Sequence, residues 1–259
     1  MCIKLPTKKT KPSYSMEKLS MLLYGAPKIG KSTFCSRAQA AIFIATEPGL
    51  NHLETHQVPV TTWEELLQAF ALLENEEHNF KTIVIDTVDK AWDFCESYVC
   101  NRHKITHIND LGYGKGYHLL STEFGRVFTK LFALGHGVIL TSHAELKDVD
   151  TPLGKQTKWV PTFARRGQNV VLPMVDIIGF AQNEISMSEQ GERIERRVLH
   201  TKTSALFEAG DRTNRLPAKL PFAYQVFEKA LTAAPKIQPQ KTKAEPQHSA
   251  TDSKQLEIV

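Results

Sequence analysis

The segment Met21-Leu-Leu-Tyr-Gly25-Ala-Pro-Lys-Ile-Gly30-Lys31-Ser32 decides the fold of this 259-residue chain. An apolar run leads directly into the spacing G-x-x-x-x-G-K-[ST], the phosphate-binding P-loop pattern, which belongs between a strand and a helix. Chance does not supply the flanking strand, so a glycine-rich turn without a ligand is the weaker interpretation. The chain is therefore expected to bind a nucleoside triphosphate.

Each residue type in this pattern has a chemical reason to be there. The glycines let backbone N–H groups surround the phosphates, and the following helix adds the positive end of its dipole. Lys31 is expected to reach the β and γ phosphates, and the Ser32 hydroxyl is expected to ligate magnesium. ATP and Mg²⁺ are the predicted cofactors. The predicted nucleotide contacts in this segment are Gly25, Ala26, Pro27, Lys28, Ile29, Gly30, Lys31, Ser32 and Thr33.

Composition allows one sizeable core and indicates neither a membrane protein nor a secreted one. The chain is 41% hydrophobic, yet it has no run of about 18 apolar residues and no apolar segment near its start. Its four cysteines show no paired framework, which favours reduced thiols. A net charge of +4 permits a polyanionic partner without requiring one. We expect a soluble, cytoplasmic protein.

The rest of the sequence predicts one α/β domain over residues 18–233, between a flexible basic arm at 1–17 and a disordered tail at 234–259. Strand patterns alternate with helical patterns, which predicts βαβ units and a mostly parallel sheet. The predicted strands are 20–24, 41–45, 82–86 and 138–141, and the predicted helices are 31–39, 62–76, 88–101, 118–134 and 222–232. A late β-hairpin is predicted over 176–187 and 192–202, with its turn at 188–192.

Three polar residues end or follow predicted strands at the edge that carries the P-loop. The run Thr82-Ile-Val-Ile-Asp86 ends in an acid, which predicts that Asp86 holds the magnesium ion together with Ser32. Glu47 can orient and deprotonate the water that attacks the γ-phosphate, although a solvated loop acid is the alternative. His143 can donate a hydrogen bond to the γ-phosphate, and a plain surface histidine is its alternative. With Lys31, these are the predicted catalytic residues.

Three cations near the C-terminal end of the domain are candidates to contact the transferring phosphate. They are Lys202, Arg212 and Arg215, and they can act in the same subunit or across a subunit interface. Arg212 is the one predicted as a nucleotide contact.

Two segments combine cations with aromatic rings, which suits single-stranded nucleic acid because phosphate neutralisation and base stacking then act together. The first, residues 101–118, is predicted to be a flexible presented loop rather than a packing element, since glycine recurs at 112, 114 and 116. The second is the long connection 144–168. The predicted nucleic-acid contacts are Arg102, Lys104, Tyr113, Lys115, Tyr117, Lys155, Lys158, Arg165 and Arg166. An ordinary solvated surface is the alternative for both.

The spacing of Cys95, Cys100, His103 and His107 is compatible with zinc. Residues 95–100 are predicted to be helical, however, and a spacing of five residues places the two sulfurs on different helix faces. Buried cysteines beside loop histidines are the favoured interpretation.

The order of these features resembles the ATPase core of the RecA family over residues 18–232. It is more closely similar to short phage-encoded P-loop proteins of AAA type, some of which act in single-strand annealing or recombination. The segments that carry the resemblance are Gly25 to Ser32, Ala45 to Glu47, Ile83 to Asp86, Leu111 to Tyr117, Leu140 to His143 and Gly210 to Thr213.

The resemblance implies roles for several residues. It implies that Glu47 is the catalytic base, that the two basic segments are the DNA-contacting loops, and that His143 senses the γ-phosphate where RecA has glutamine. It also implies that Lys202 reaches the nucleotide of a neighbouring subunit. The chain shows no N-terminal oligomerisation helix and no large C-terminal DNA-gathering domain, which argues against stable filaments and full strand exchange.

Taken together, these features predict a RecA-like ATPase, weak or DNA-stimulated, that binds single-stranded DNA and promotes annealing or recombination in phage DNA metabolism. The expected partners are single-stranded DNA, further copies of the chain in a ring or filament, and a single-strand-binding protein; no membrane is involved. If a phage encodes the chain, its location is the host bacterial cytoplasm. The alternatives are a nucleotide or small-molecule kinase and a non-enzymatic, nucleotide-gated replication adaptor.

Overall fold

The structure, a computed structural model, describes residues 5–151, 154–187 and 191–233. Its strands are β1 Ser20–Gly25, β2 Ala41–Ala45, β3 His56–Pro59, β4 Thr82–Asp86, β5 Gly137–Ser142, β6 Ala144–Thr151, β7 Gly154–Pro161, β8 Ile177–Met187, β9 Arg193–His200, β10 Gly210–Asp211 and β11 Lys219–Pro221. Its helices are α1 Lys31–Cys35, α2 Trp63–Asn75, α3 Val88–His103, α4 Lys115–Ala133, α5 Arg165–Val171 and α6 Tyr224–Thr232, with a 3-10 turn at Ile108–Leu111.

The main sheet has the order β11-β9-β8-β1-β5-β4-β2-β3, with β10 also paired to β8. Strands from β8 to β3 in that order are parallel, whereas β9, β10 and β11 join the sheet antiparallel. The predicted α/β class with a mostly parallel sheet and a late hairpin is therefore confirmed. Because the parallel strands point the same way, their carboxyl ends form one edge, which we call the carboxyl edge, and their starts form the amino edge.

Helices cover both faces of this sheet, and side chains alternate between two cores as the pleat requires. In β1, Leu22 faces a core with α2, α3, α4 and α5, while Met21 and Leu23 face a second core with α1 and α6. Cys95 and Cys100 are buried in the first core. The second core includes Phe34 of α1 stacked against Phe222, with ring centroids 4.9 Å apart.

Local capping explains where α2 begins. The Thr62 hydroxyl accepts a hydrogen bond from the Glu65 backbone N–H at 3.2 Å, at the start of the predicted helix 62–76. The Glu65 carboxylate accepts from the backbone N–H of Thr61 at 2.6 Å. The first bond satisfies a backbone donor that the first helical turn cannot pair internally, and the second pairs the N–H of the residue before the cap.

Several elements differ from the sequence-based expectation, among them α5, β10 and β11, which the sequence patterns do not predict. Helix α1 ends at Cys35 rather than near residue 39, because Arg37 and Ala38 close tighter i→i−3 turns. The edge strand β3 falls in a stretch for which no element was predicted. Most of the predicted loop 144–168 is an antiparallel hairpin, β6–β7, which forms a separate two-stranded sheet.

The segment 101–118 is more ordered than a flexible presented loop. Helix α3 continues to His103, the 3-10 turn follows, and α4 already begins at Lys115. Gly116 is a packing position, since a Cβ there would lie 1.9 Å from the Ile108 carbonyl oxygen. Gly112 and Gly114 do adopt positive φ angles of 61° and 72°, as a tight turn between these elements requires.

The predicted tail, residues 234–259, lies outside the described residues, as do residues 188–190 of the predicted hairpin turn. Of the predicted arm, residues 5–17 are described, and Met16 at its end is buried in the second core. The domain boundaries stay predictions. None of the helices in the described ranges is long and apolar enough to cross a bilayer.

Candidate functional site

The carboxyl edge gathers the four predicted catalytic residues around one cavity of about 280 Å³. The P-loop follows β1, Glu47 follows β2, Asp86 ends β4 and His143 follows β5. All four elements are adjacent in the sheet and parallel, so side chains far apart in sequence meet at this edge. The cavity also contacts Ser32 and Thr33, and the segment from Pro48 to Leu50 closes its far side.

Lys31 is held inside its own loop. Its ammonium donates to the backbone carbonyls of Gly25 at 2.9 Å and Ala26 at 3.1 Å, and the residue is 6% exposed. Burial lowers the pKa of Lys31, and the nearby acids Asp86, Asp89 and Glu47 partly offset this. A buried cation that has only neutral carbonyl partners gains strongly from an anionic phosphate placed in the same cavity.

Ser32 and Asp86 form the oxygen pair that the sequence predicts for magnesium. The Ser32 hydroxyl donates to Asp86 Oδ2 at 2.7 Å, and the Thr141 hydroxyl donates to Asp86 Oδ1 at 2.5 Å. Mg²⁺ prefers oxygen ligands and is commonly held by one or two side chains plus substrate phosphates, so this pair fits it. The described ranges contain no group of three or more His, Cys, Asp or Glu side chains that could hold a metal ion.

The side chains of Glu47 and His143 contact each other, and the sequence patterns do not predict this contact. Their side chains approach within 3.4 Å, from His143 Nε2 to Glu47 Oε2. The other carboxylate oxygen of Glu47 accepts from the Thr87 hydroxyl at 2.9 Å, and His143 Nδ1 is buried without a hydrogen-bond partner among the described residues. A carboxylate beside a histidine in a phosphate cavity can orient water and respond to an added anion.

Asp89 is a half-buried acid at the carboxyl edge that the sequence patterns do not reveal. Its Oδ1 accepts hydrogen bonds from the hydroxyls of Ser142, at 3.1 Å, and Thr162. Its Oδ2 is buried and has no partner among the described residues. Burial raises the pKa of Asp89, although the two hydroxyl donors work against this shift. An acid in the first turn of a helix is so common that no sequence signal marked this one.

Arg197 is a second residue that the sequence did not reveal. It lies on β9 and reaches back over the P-loop, where its Nη1 donates to the Ile29 carbonyl at 3.2 Å. A Cβ on Gly30 would lie 2.9 Å from that same nitrogen, so a side chain there would displace the end of the arginine, and the φ of 107° at this position itself favours glycine. Only the pairing of β8 with β9 in the sheet brings this arginine near the loop.

The three cations near the C-terminal end of the domain lie away from the nucleotide cavity of their own chain. Arg212 pairs with Asp176 at 3.2 Å at the amino edge, and Lys202 lies 3.8 Å from Asp211. Arg215 covers the Tyr14 ring, with its guanidinium carbon 3.3 Å from the ring centroid. Asp176 is next to Ser20, so the length of β1, roughly 16 Å, separates Arg212 from the P-loop.

The prediction that Arg212 contacts the nucleotide is therefore corrected for its own subunit. A rise of about 3.3 Å for every strand residue carries Arg212 to the wrong end of the sheet, because β10 pairs with the start of β8. Action across a subunit interface stays a prediction for Arg212 and for Lys202.

The predicted nucleic-acid residues of the first segment fall into two groups. Tyr113, Lys115 and Lys104 are exposed, and Tyr113 is fully so at 104%. Arg102, which is also exposed, and the half-buried Tyr117 contact other side chains: Arg102 donates to the Tyr98 hydroxyl at 3.1 Å. Tyr117 lies under the Arg166 guanidinium, 4.5 Å from carbon to ring centroid, so the two basic segments touch there.

The hairpin divides the cations of the second segment between its two faces. Lys147 and Lys158 are directly opposite each other on one face. Lys155 is on the other face, opposite Asp150. Beyond the hairpin, Arg165 lies 4.0 Å from Glu208. The cations therefore do not form one continuous surface.

Comparisons with known proteins agree with this site. A family model described as an AAA domain matches residues 17–213, which include the P-loop, Glu47, Asp86, Asp89 and His143. The chain is also similar to a prophage-derived uncharacterized protein, YorG of SPbeta, from Bacillus subtilis (strain 168). The two are 25% identical over 231 residues, which cover 84% of this chain and 67% of the relative.

Proposed function

Because the chain belongs to the AAA-domain family of nucleotide-binding P-loop proteins, we propose that it is a RecA-like ATPase that binds single-stranded DNA under the control of its nucleotide. In this proposal it promotes annealing or recombination in phage DNA metabolism, in the cytoplasm of a bacterial host. The prophage origin of its relative supports the phage setting.

The observation that carries the proposal is how the hairpin β6–β7 is fastened at both of its ends: the first end contacts a residue that lines the nucleotide cavity, and the second contacts Asp89, whose charge acts on Lys31 of that cavity. At the first end, His143 contacts Glu47. At the second end, Thr162 donates its hydroxyl to Asp89, and its backbone N–H donates to the His143 carbonyl at 3.1 Å. A change of charge in the cavity therefore acts on both ends of one projecting element.

The charge on the hairpin supports an anionic ligand. Like charges directly opposite on neighbouring strands destabilise a sheet, and Lys147 faces Lys158 in this way. A phosphate placed between the two ammonium groups removes that repulsion. The exposed ring of Tyr113 and the exposed cation Lys115, near the start of α4, supply further groups of the kind that stack on bases and neutralise phosphates.

Hydrolysis would use the residues around the cavity. Lys31 and the backbone of the P-loop would hold the phosphates, and Ser32 and Asp86 would hold Mg²⁺, which supplies positive charge next to the transferring phosphate. Glu47, oriented by Thr87 and His143, would accept the proton of the attacking water. Arg197 is close enough to the loop to add positive charge in the same subunit.

Assembly would complete the system. We propose further copies of this chain and a single-strand-binding protein as partners, with Lys202 and Arg212 as the cations that would act on a neighbouring subunit. Both lie at the amino edge, away from their own phosphate cavity, which fits such a role.

The test is binding of fluorescein-labelled oligo-dT by fluorescence anisotropy with ATPγS, with ADP and without nucleotide. We expect tight, salt-sensitive binding only with the triphosphate, and its loss in Lys31→Ala, which removes the phosphate-binding cation. Binding that is equal in all three states would contradict the nucleotide switch. No binding in any state would remove the DNA-binding proposal and favour a nucleotide or small-molecule kinase.

A matched pair of lysine variants tests the role of the hairpin face. Lys158→Ala is expected to lower the slope of log affinity against log salt by about 0.7, the value for one phosphate contact on a single strand. Lys155→Ala removes the same charge from the opposite face, beside Asp150, and is expected to change the slope less. Equal slopes for the two variants would mean that the hairpin contributes only its net charge.

A further inference from the structure

A second cavity of about 250 Å³ lies on the other side of the P-loop. Its floor is the loop segment Ala26 to Ile29, and its walls come from Trp159 of the hairpin and from the stretch of β8 between Phe180 and Asn183. Ligand pockets usually measure roughly 300–1,000 Å³, so this cavity is of a size for one planar group rather than a whole nucleotide.

The aromatic wall of this cavity is rigid. Phe180 stacks on Tyr24 with ring centroids 4.9 Å apart, and Trp159 stacks on Phe180 at 6.0 Å as the outer, half-buried member of the series. The backbone of Trp159 is fixed at both its polar groups: its N–H donates to the Leu206 carbonyl at 2.7 Å, and its carbonyl accepts from the Tyr24 hydroxyl at 3.2 Å. A fixed ring binds a planar ligand at low cost in conformational entropy.

The remaining wall carries polar groups suited to the edge of a base. Gln182 and Asn183 contribute side-chain amides, which offer a donor and an acceptor on one planar group. The Gln182 amide already contacts His200 Nε2 at 3.0 Å. The exposed Asn183 amide makes no side-chain hydrogen bond with any other described residue. The cation Lys28 lies at the rim, where a phosphate attached to the bound group would be neutralised.

From this arrangement we propose that the second cavity holds one nucleobase of a single-stranded nucleic acid, stacked against Trp159 and hydrogen-bonded at its edge by Asn183. This inference rests on the proposed function and adds to it a defined base site. Aromatic stacking suits a single strand because every base has a π-face, so the site accepts different sequences.

The position of the cavity also links it to the nucleotide. Lys28 lines both cavities and has a left-handed backbone with φ of 63°, and Ile29 between them receives the hydrogen bond from Arg197. A phosphate bound inside the P-loop therefore contacts the same backbone that forms the floor of the base site. The site is occupied most readily when the triphosphate holds this backbone in place.

The protein carries its own probe for this site. Of its three tryptophans, Trp63 and Trp92 are buried at 0% and 3% exposure, and Trp159 is the half-buried one that lines the cavity. A base stacked on an indole ring changes its fluorescence, so Trp159 is expected to report occupancy. We would titrate the full chain with ATPγS and unlabelled oligo-dT or oligo-dA, and with an abasic strand of the same length as the control that keeps the phosphates.

The expected result is quenching by the strands with bases and none by the abasic strand. Quenching should persist in Trp92→Phe and vanish in Trp159→Phe. The phenylalanine ring of Trp159→Phe can still stack on a base, so this variant should bind labelled strands within about twofold of the wild type. Trp159→Ala should bind them about tenfold more weakly, and the exposed-site variant Asn183→Ala should weaken oligo-dA binding while leaving the abasic strand unchanged.

Three other outcomes are distinguishable. Strand binding with wild-type affinity in both Trp159→Ala and Asn183→Ala, or quenching that survives in Trp159→Phe, would overturn this inference and leave the proposed function standing. Quenching by free thymidine or adenosine, with strand affinity unchanged in the variants, would assign the cavity to a free nucleoside instead. Failure of any strand to bind the wild type would overturn both proposals. Trp159→Phe and Asn183→Ala keep the test decisive if Trp159→Ala does not fold.

Discussion

The two edges of the parallel sheet contain similar polar residues but use them differently. At the amino edge, Asp176 accepts hydrogen bonds from the Ser20 backbone and hydroxyl, both at 2.9 Å, and pairs with Arg212. At the carboxyl edge, Lys31 has only backbone carbonyls as hydrogen-bond partners, and one oxygen of Asp89 is buried with no partner among the described residues. Buried polar groups are normally paired, and at the amino edge the neutral Thr82 hydroxyl is also buried without a partner among the described residues. The carboxyl edge differs in that an ionisable group, the Asp89 carboxylate, has an unmatched oxygen close to a buried ammonium, so it is the edge arranged for a ligand.

The same contrast extends to Asp211 at the amino edge. Its carboxylate accepts from the Thr213 backbone and hydroxyl at 2.8 and 2.6 Å, and from the Leu216 N–H at 2.8 Å. These bonds close the turn after β10 and have a structural purpose. An acidic residue at the end of a strand therefore indicates a ligand site only when the hydrogen-bond partners of its carboxylate are also known.

Asp176→Ala gives the largest expected effect, and it should be an effect on stability alone. The change leaves the Ser20 N–H without its acceptor at a position that is 8% exposed, and it removes the partner of Arg212. We expect the free energy of unfolding to fall by about 2–4 kcal/mol. Urea unfolding measures this, and the affinity for ATPγS should be unchanged because roughly 16 Å of strand intervenes.

Asp176→Asn is the control, since its amide oxygen still accepts from Ser20 and about half of the loss should be recovered. A drop in nucleotide affinity in folded Asp176→Ala would show that the two edges are coupled and that Asp176 is not a purely structural residue.

Thr162→Val tests the carboxyl edge for coupling rather than stability. It removes the hydroxyl that joins the end of the hairpin to Asp89 at almost constant volume. We expect the ratio of oligo-dT affinities with ATPγS and with ADP to shrink by about 5–10-fold, a coupling free energy of about 1–1.4 kcal/mol. Anisotropy titrations in both nucleotides measure the ratio.

Thr157→Val serves as the matched control for that experiment. Thr157 is exposed on the same hairpin and donates to Asp148 at 2.7 Å, away from the cavity. A full nucleotide response in Thr162→Val, or the same loss in Thr157→Val, would show that the contact with Asp89 does not transmit the nucleotide state.

Sequence patterns predict the features of this molecule that depend on residues close together in the sequence. The P-loop, the strand ending in Asp86 and the helix start at Thr62 all follow from local spacing, and the structure has each of them. Strand direction then placed Glu47 and His143 at the same edge, because parallel strands end together.

Other features depend on contacts between distant segments, and no local pattern encodes them. Arg197 reaches Ile29 only through the pairing of β8 with β9, and Thr162 meets Asp89 across 73 positions of sequence. The glycine spacing predicts that Gly116 is a flexible loop residue, whereas its lack of a side chain allows the Ile108 carbonyl to approach. The prediction that Arg212 contacts its own nucleotide is wrong for the same reason. The two-residue strand β10 places Arg212 at the amino edge, and no local pattern predicts that strand.

A smaller expected effect is the pH dependence that Asp89, at the carboxyl edge, gives to the free energy of unfolding. Burial raises the pKa of Asp89, so the folded state favours the protonated acid. Its contribution to stability is complete below the unfolded pKa, roughly 3.9, and is lost as pH rises through the folded pKa. Asp89→Asn removes this titration and should gain stability relative to the wild type as pH rises.

Urea unfolding of both proteins from about pH 4 to about pH 8 measures the difference. A difference that stays constant across this range would mean that Asp89 keeps its ordinary pKa, and the unmatched carboxylate would then be better solvated than its burial implies.

Arg212→Ala should give the smallest effect, and it tests whether Arg212 acts in its own subunit or on a neighbouring one. Its ion pair with Asp176 is 59% exposed on the arginine side, so its loss should cost no more than about 1 kcal/mol after solvent screening. Nucleotide affinity in dilute monomer should be unchanged, because Arg212 lies at the amino edge of its own sheet. If ATP hydrolysis by the variant falls only at protein concentrations where subunits associate, Arg212 reaches the phosphate of a neighbour. If hydrolysis is unchanged at every concentration, the role of Arg212 is confined to fastening β10 to the start of β8, and Lys202 is the cation of the pair that is left to act on a neighbouring subunit.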